Sequence, residues 1–391
     1  MKLGTEVRLT VKKKADGSTK VISIIREEVL IDETYAKSLI LQADGSSDKI
    51  GYIHLPKFYA DFDKADGRQC AEDVEVELEK LKKSDVKGII LDLRNNGGGS
   101  LRDVQKMAGF FIEKGPIVQV KNREGKPEVL NDDDDAVQYS GPLVIMQNEF
   151  SASASEIMTA AMQDYGRAII VGSNSYGKGT VQRFFSLDRA IKGNDDVKPL
   201  GDVKVSIQKF FRVNGGSTQL KGVKPDITLP DNYEDVKVGE ESNDYPMAWT
   251  QINPVKYGQS VIDLKYLPSI AARSNERVKK NETFKLINEN AKLVKSRKDN
   301  SRYPLNLTEY RAYEQKQKEF SKKIDGLRKP IPTFSAENLI DDKMDIKKDS
   351  TKIKTNEAWL KDVSKDIHLY ETVQIMKDLI QNAKVAAVTP H

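Results

Sequence analysis

The chain reads as an α/β fold, a mixed β-sheet core covered by helices, with a helical region after it. Three observations predict this. Between Ile50 and Pro230, strand-like apolar runs alternate with segments whose apolar residues recur at helical spacing. After Pro230 the texture shifts to Lys, Glu, Asn and Leu with helical periodicity. The 391 residues, 38% hydrophobic and 31% charged, supply core for two or three domains beneath a highly charged surface.

The strands follow from short apolar runs bounded by turn residues: Gly51 to Leu55, Gly88 to Leu93, Ile117 to Val120, Leu143 to Met146, Ala168 to Val171, Thr180 to Phe185 and Val203 to Phe211. Helical spacing marks Val74, Leu78 and Leu81 within Cys70 to Leu81, then Val104, Met107, Ala108 and Phe111, then Ile157, Ala160, Ala161 and Tyr165. Asn131 to Asp135 reads as a solvated acidic loop; it lacks the ligand spacing and turn glycine of a calcium loop. Leu267 to Leu293, Leu307 to Leu327 and Ala358 to Ala387 read as long surface helices broken by Pro304, Pro330 and Pro332. Ahead of the core, Glu6 to Val11 and Lys20 to Ile25 alternate around Ala15-Asp16-Gly17-Ser18, a hairpin signal. An isolated hairpin buries too little to stand alone, so this one reads as the end of a truncated domain. The expected division is 1–30, 31–235 and 236–391.

Composition excludes several function classes. A formal charge of +4, from 63 Lys+Arg against 59 Asp+Glu, is too weak to imply a nucleic-acid or membrane-surface partner. The single cysteine, Cys70, rules out an intrachain disulfide and a thiolate-rich metal site, and three histidines make a three-histidine metal site improbable. No metal or cofactor is expected. Charged residues interrupt every apolar stretch before the ~18 residues of a membrane span, and Met1-Lys2-Leu3-Gly4 opens no apolar signal segment.

Three segments carry residue types suited to chemistry. Phe150-Ser151-Ala152-Ser153-Ala154-Ser155-Glu156-Ile157 places small residues between a strand and a helix. A nucleophilic serine there gains a tight turn and the N–H groups of a helix N-terminus. Ser153-x-x-Glu156 is equally a capping box, the commoner reading of the motif alone. Gly172 to Gln182 resembles a phosphate loop through Gly172-x-x-x-x-Gly177-Lys178, yet Gly179 occupies the Mg²⁺-binding hydroxyl position and a strand follows. A nucleotide site is therefore the weaker alternative. Leu91 to Ser100 runs a strand into Gly97-Gly98-Gly99, which is either a plain turn or a nest of N–H groups for an oxyanion. Asp92 and Arg94 beside it read first as a structural ion pair.

Histidine is scarce: His54 lies inside an apolar run, and His368 and His391 lie in the helical tail. A lysine kept neutral by burial can replace histidine as general base, and Lys178 sits between glycines in an uncharged stretch from Ile169 to Gln182. A solvated loop lysine is the alternative.

Together these residues resemble the tail-specific, or carboxyl-terminal processing, proteases, a Ser/Lys peptidase family. The resemblance rests on Asp92 to Gly99, Phe150 to Ile157, Met162 to Arg167, Tyr176 to Gln182, Phe211 to Gln219 and Gly222 to Ile227, and it spans nearly the whole chain. It implies Ser153 as nucleophile, Lys178 as general base, Gln182 orienting the lysine, and an oxyanion hole from the N–H groups of Ala154 and Gly99 with Gly98 adjacent. Ser151 and Ser155 are left with structural roles. It further implies polypeptide substrates with accessible C-terminal tails, a periplasmic or cell-envelope location, and an envelope adaptor protein as partner. Family members carry a PDZ domain, and Gly4 to Arg26 resembles only its last strands, so the expectation is a chain that keeps catalysis and lacks tail recognition. The competing class is a binding or adaptor protein on an inactive protease fold.

Overall fold

The computed structural model describes residues 3–27, 34–61, 64, 66–191, 193, 195–258, 264–327 and 329–388. Residues Met1–Tyr35 form one compact unit and Ala36–His391 a second. The first is the antiparallel hairpin β1 (Glu6–Lys12) and β2 (Thr19–Ile25), closed where Asp16 accepts the N–H and hydroxyl of Ser18. Nearly all its side chains are exposed, as a two-stranded ribbon dictates.

In chain order the second unit begins with β3 (Lys37–Ala43), β4 (Ile50–His54), α1 (Cys70–Lys83), β5 (Gly88–Asp92), α2 (Leu101–Gly109), β6 (Gly115–Asn122) and β7 (Glu128–Asp132). It continues with β8 (Leu143–Gln147), α3 (Ala154–Asp164), β9 (Ile169–Gly172), β10 (Thr180–Ser186), β11 (Asp202–Phe211) and β12 (Ile227–Thr228). The C-terminal part holds α4 (Leu267–Lys280), α5 (Glu282–Asp299), α6 (Leu307–Leu327), β13 (Phe334–Glu337), α7 (Ile340–Ile346), α8 (Ser350–Val363) and α9 (Ile367–Val388).

Among the described residues the main sheet has seven strands, ordered β12-β9-β8-β5-β4-β3-β13, parallel from β12 to β4 and antiparallel at β3 and β13. Its central strands are buried on both faces, so alternation divides them between two cores. Ile89, Leu91, Leu143, Ile145 and Ile170 pack with Val74, Leu78, Val104 and Met158 of α1, α2 and α3. Ile90, Val144, Met146, Ile169 and Val171 pack on the other face with Ile270, Leu369, Val373 and Met376 of α4 and α9. A second sheet, β10-β11-β6-β7 among the described residues, is antiparallel and joins the first core through Ile117, Val118 and Phe210. No helix of the described residues is long and apolar enough to cross a membrane.

Several expectations are corrected. Leu267 to Leu293 is two helices, because Asn281 breaks it and caps α5 through the N–H groups of Thr283 and Phe284. Ala358 to Ala387 is likewise two, and α9 is a core helix whose Leu369, Val373, Ile375 and Met376 are buried against the sheet. Asn131 and Asp132 end strand β7 and so do not belong to a loop. Four strands were not anticipated: β3, β7, β12 and β13. His391 lies outside the described residues.

Candidate active site

Strands β5, β8 and β9 are adjacent and parallel, so the loops at their carboxyl ends converge at one edge of the main sheet, where open α/β sheets place ligands. A cavity of about 550 Å³ opens there. Gly97, Gly98 and Gly99 line it from the β5 loop, Ser153 and Ala154 from the β8 loop, and Lys178 from the β9 loop, with Gln182 on β10.

The β8 loop separates its three serines. Ser151 and Ser155 are fully buried: their hydroxyls donate to the carbonyls of Leu93 at 2.8 Å and Asn96 at 2.7 Å, stitching the turn to the β5 loop. Ser153 is only half-buried and faces the cavity, with φ +57° and ψ −113° at the N-cap of α3. A non-glycine residue held there is strained, and the bonds on either side hold it. Ala154 supplies the first N–H of α3, one that no intrahelical carbonyl can take.

Glu156 ties this turn to the lysine loop. Fully buried, it accepts the N–H of Ser153 at 2.8 Å, the Ser175 hydroxyl at 2.6 Å, and the N–H groups of Gly177 at 2.7 Å and Lys178 at 2.9 Å. Burial pushes its carboxyl up to about 7 against those four donors. The backbones of Ser153 and Lys178 thus hang from one side chain. Gly179 is needed beside the lysine because a Cβ there would sit 2.6 Å from the Ser217 hydroxyl. Lys178 itself is half-buried and has no carboxylate within ion-pair distance among the described residues. Burial first, and the charge of Lys204 second, lower its pKa, outweighing Glu240 and Glu156.

In the β5 loop, Gly98 has φ +92°, and a Cβ on it would fall 2.7–2.9 Å from Ala152 O, Ser153 Cβ and Ala154 N, so only glycine brings this backbone against the serine turn. Its N–H donates to Asn96 Oδ1 at 2.9 Å. The Phe58 bridge alongside uses Gly98 O and Ser100 N, leaving the Gly99 N–H outside that ladder. Gln182 sends its amide nitrogen to Thr180 Oγ1 at 2.9 Å and Ser206 Oγ at 3.4 Å.

Other candidates resolve differently. The phosphate-loop alternative is overturned: the N–H groups of Gly177 and Lys178 go to Glu156, that of Gly179 goes to Gln219 Oε1, and Thr180 begins a strand in place of a helix. Arg94 is an ion-pair hub, its guanidinium on Asp92 at 2.6 Å and on Asp366 at 2.7 Å. His54 is largely buried and burial lowers its pKa, while His368 binds Pro230 O at 2.7 Å. The sequence signalled Glu156 only as a helix cap; its reach to Gly177 and Lys178 has no local signature. Lys57 and Lys204, also at the cavity, carried none.

Residues 49–229 match the model of peptidase family S41, and residues 233–381 match the model described as the C-terminal domain of tail specific protease. A tail-specific protease of Haemophilus influenzae is 40% identical over 309 residues, 78% of this chain and 43% of that one. Carboxyl-terminal-processing peptidase 2, chloroplastic, of Arabidopsis thaliana is 30% identical over 232 residues, 59% of this chain and 41% of that one. A solved photosystem II D1 C-terminal processing protease superposes with a TM-score of 0.42 at 23% identity, covering 58% of this chain and 56% of that one. The chain spans less than half the length of the two curated relatives.

Proposed function

Because the chain belongs to peptidase family S41, whose model its residues 49–229 match, we propose that it hydrolyses peptide bonds near protein C-termini with Ser153 as nucleophile and neutral Lys178 as general base. The Lys178 amine takes the hydroxyl proton as Ser153 Oγ bonds to the scissile carbonyl carbon. The N–H groups of Ala154 and Gly99 hold the resulting oxyanion. Lys178 then gives its proton to the leaving amine as the C–N bond breaks. Water, giving a proton to the same lysine, attacks the acyl carbon, and Lys178 returns that proton to Ser153 Oγ as the ester C–O bond breaks.

One observation carries this reading: of three closely spaced serines, the one facing the cavity is the strained one, and that cavity also holds a lysine of lowered pKa that pairs with no carboxylate among the described residues. Strand β10 begins two residues after Lys178 and is an edge strand, with no backbone bond from an element other than β11 along its length among the described residues. An extended substrate lying on that edge would pair its backbone there. On the same reading the β1–β2 hairpin closes a PDZ-like domain and the enzyme works in the cell envelope, a location that fractionation checks. Ser153→Ala and Lys178→Ala should each lower peptide cleavage by about 1000-fold or more with the fold intact. Near-normal turnover by either variant refutes the assignment.

A further inference from the structure

Among the described residues, three cations line the cavity, Lys57, Lys178 and Lys204, and no carboxylate does. Several part-buried cations elsewhere are matched by carboxylates: Lys80 by Glu77 and Asp342, Arg212 by Asp164, Arg277 by Glu371 and Asp378. Neither Lys57 nor Lys204 pairs with a carboxylate among the described residues. The two come from different sheets. Lys57 follows β4 and precedes Phe58, whose backbone brackets Gly99. Lys204 lies on β11 opposite Phe184, its amine 5.4 Å from the centre of that ring, which holds the charge over the cavity mouth. At the rim of a cleft, low-dielectric walls focus the field of these two exposed lysines on whatever enters.

We propose that Lys57 and Lys204 are specificity-determining residues that select substrates carrying a carboxylate close to the scissile bond. The inference rests on the peptidase reading above and names the substrate chemistry of that same site. A chain laid along β10 passes Gln182 and Phe184 on its way past Lys204, so an acidic side chain or a free terminal carboxylate within a few residues of the cut bond enters the cavity that both lysines line. Both lysines are exposed and neither contacts the serine turn by any hydrogen bond among the described residues, which leaves their amines open to the incoming chain.

The test is a set of quenched fluorescent peptides differing at one position beside the scissile bond, Glu, Gln or Lys, each made as the C-terminal acid and as the amide. With the unmodified chain, kcat/KM for the Glu peptide should exceed that for Gln by about 5-fold, with Lys lower still, and the ratio should shrink in about 0.5 M salt. In Lys57→Gln/Lys204→Gln the Glu-to-Gln ratio should fall to about 1, and in Lys204→Glu the order should reverse toward the Lys peptide. A preference for acid over amide that replaces the Glu preference identifies the terminal carboxylate as the group read; a Glu preference in both series identifies the side chain. Equal kcat/KM across all six peptides overturns the proposal while leaving the peptidase reading intact. Fluorescence anisotropy on Ser153→Ala separates the two claims. If nothing is cleaved yet the Glu peptide binds more tightly than Gln and loses that advantage in the triple variant, the peptidase reading fails and the charge selection stands. If Ser153→Ala binds all the peptides equally or none of them, the selection is refuted.

Discussion

At the carboxyl end of β5, Arg94 sits between Asp92 and Asp366, and each charge has an opposite partner. One strand over, Glu156 on α3 holds the Lys178 loop by its backbone but makes no ion pair with the lysine: the carboxylate is met by four neutral donors, and the amine by no carboxylate among the described residues. The physical consequences are opposite. Burial alone would raise Asp92 and Asp366, but the Arg94 guanidinium overrides it and holds both carboxyls below their usual range. Around Glu156 burial wins, and the pKa rises to about 7. The matched cluster joins α9 to the β5 loop and locks one charge state. The mismatched cluster leaves two groups displaced from their ordinary pKa values beside a strained serine, and that is where proton transfer can be done.

The largest effect on stability should come from breaking the matched cluster. Arg94→Ala strands Asp92, 2% exposed, and Asp366 without their cation. The expected loss is about 3 kcal/mol, measured by urea denaturation at neutral pH. The sign with pH is fixed by the direction of the shifts. Carboxyls held low contribute stability that is present above their unfolded values near ~3.9 and is lost as pH falls through the folded ones. The gap between Arg94→Ala and the unmodified chain should therefore close in acid, and a constant gap would show that Arg94 acts through packing alone.

Glu156→Gln tests the mismatched cluster. The amide keeps one acceptor oxygen but turns a donor toward N–H groups of Ser153, Gly177 or Lys178, leaving at least one buried donor unmet. The expected cost is about 1–3 kcal/mol in the same denaturation experiment. Activity should fall further than that loss of fold explains, because the substitution loosens Ser153 and Lys178 together. Its pH signature is the reverse of the arginine cluster's. A carboxyl raised to about 7 contributes stability that is fully present below ~4.3 and is lost as pH rises through about 7, so the variant's deficit should narrow toward alkaline pH.

How far these clusters could be read in advance depends on the range of the contacts. The central strands were legible because doubly buried parallel strands are short apolar runs, as Gly88 to Leu93 and Leu143 to Met146 show. Strand β3 was missed although Asp44-Gly45 marks the turn into β4, and β7 was hidden because Glu128 to Asp132 takes its strand character from pairing with β6. Helix α9 reads as a surface helix because it follows a lysine-rich stretch, yet its Ile367, Leu369, Val373, Ile375 and Met376 cover a sheet face. At the site, the strand-to-helix turn and the lysine between glycines were local patterns. The bond from Glu156 to Gly177, the Asp366 link and the approach of Lys204 are long-range contacts that no periodicity encodes.

The smallest expected effect discriminates most finely, because it asks what keeps Lys178 neutral. Burial comes first and the charge of Lys204 second, opposed by Glu240 and Glu156. The net effect lowers its pKa, so cleavage should rise with pH through a midpoint below the ~10.4 of a free lysine. Removing the Lys204 charge removes one reason for Lys178 to stay unprotonated. Lys204→Gln should therefore move the midpoint of kcat/KM toward higher pH, with the slope unchanged. Lys204→Arg preserves the charge and should leave the midpoint in place. If both variants move the midpoint equally, Lys204 acts on Lys178 by shape, and the contrast drawn between a matched and a mismatched cluster loses its electrostatic basis.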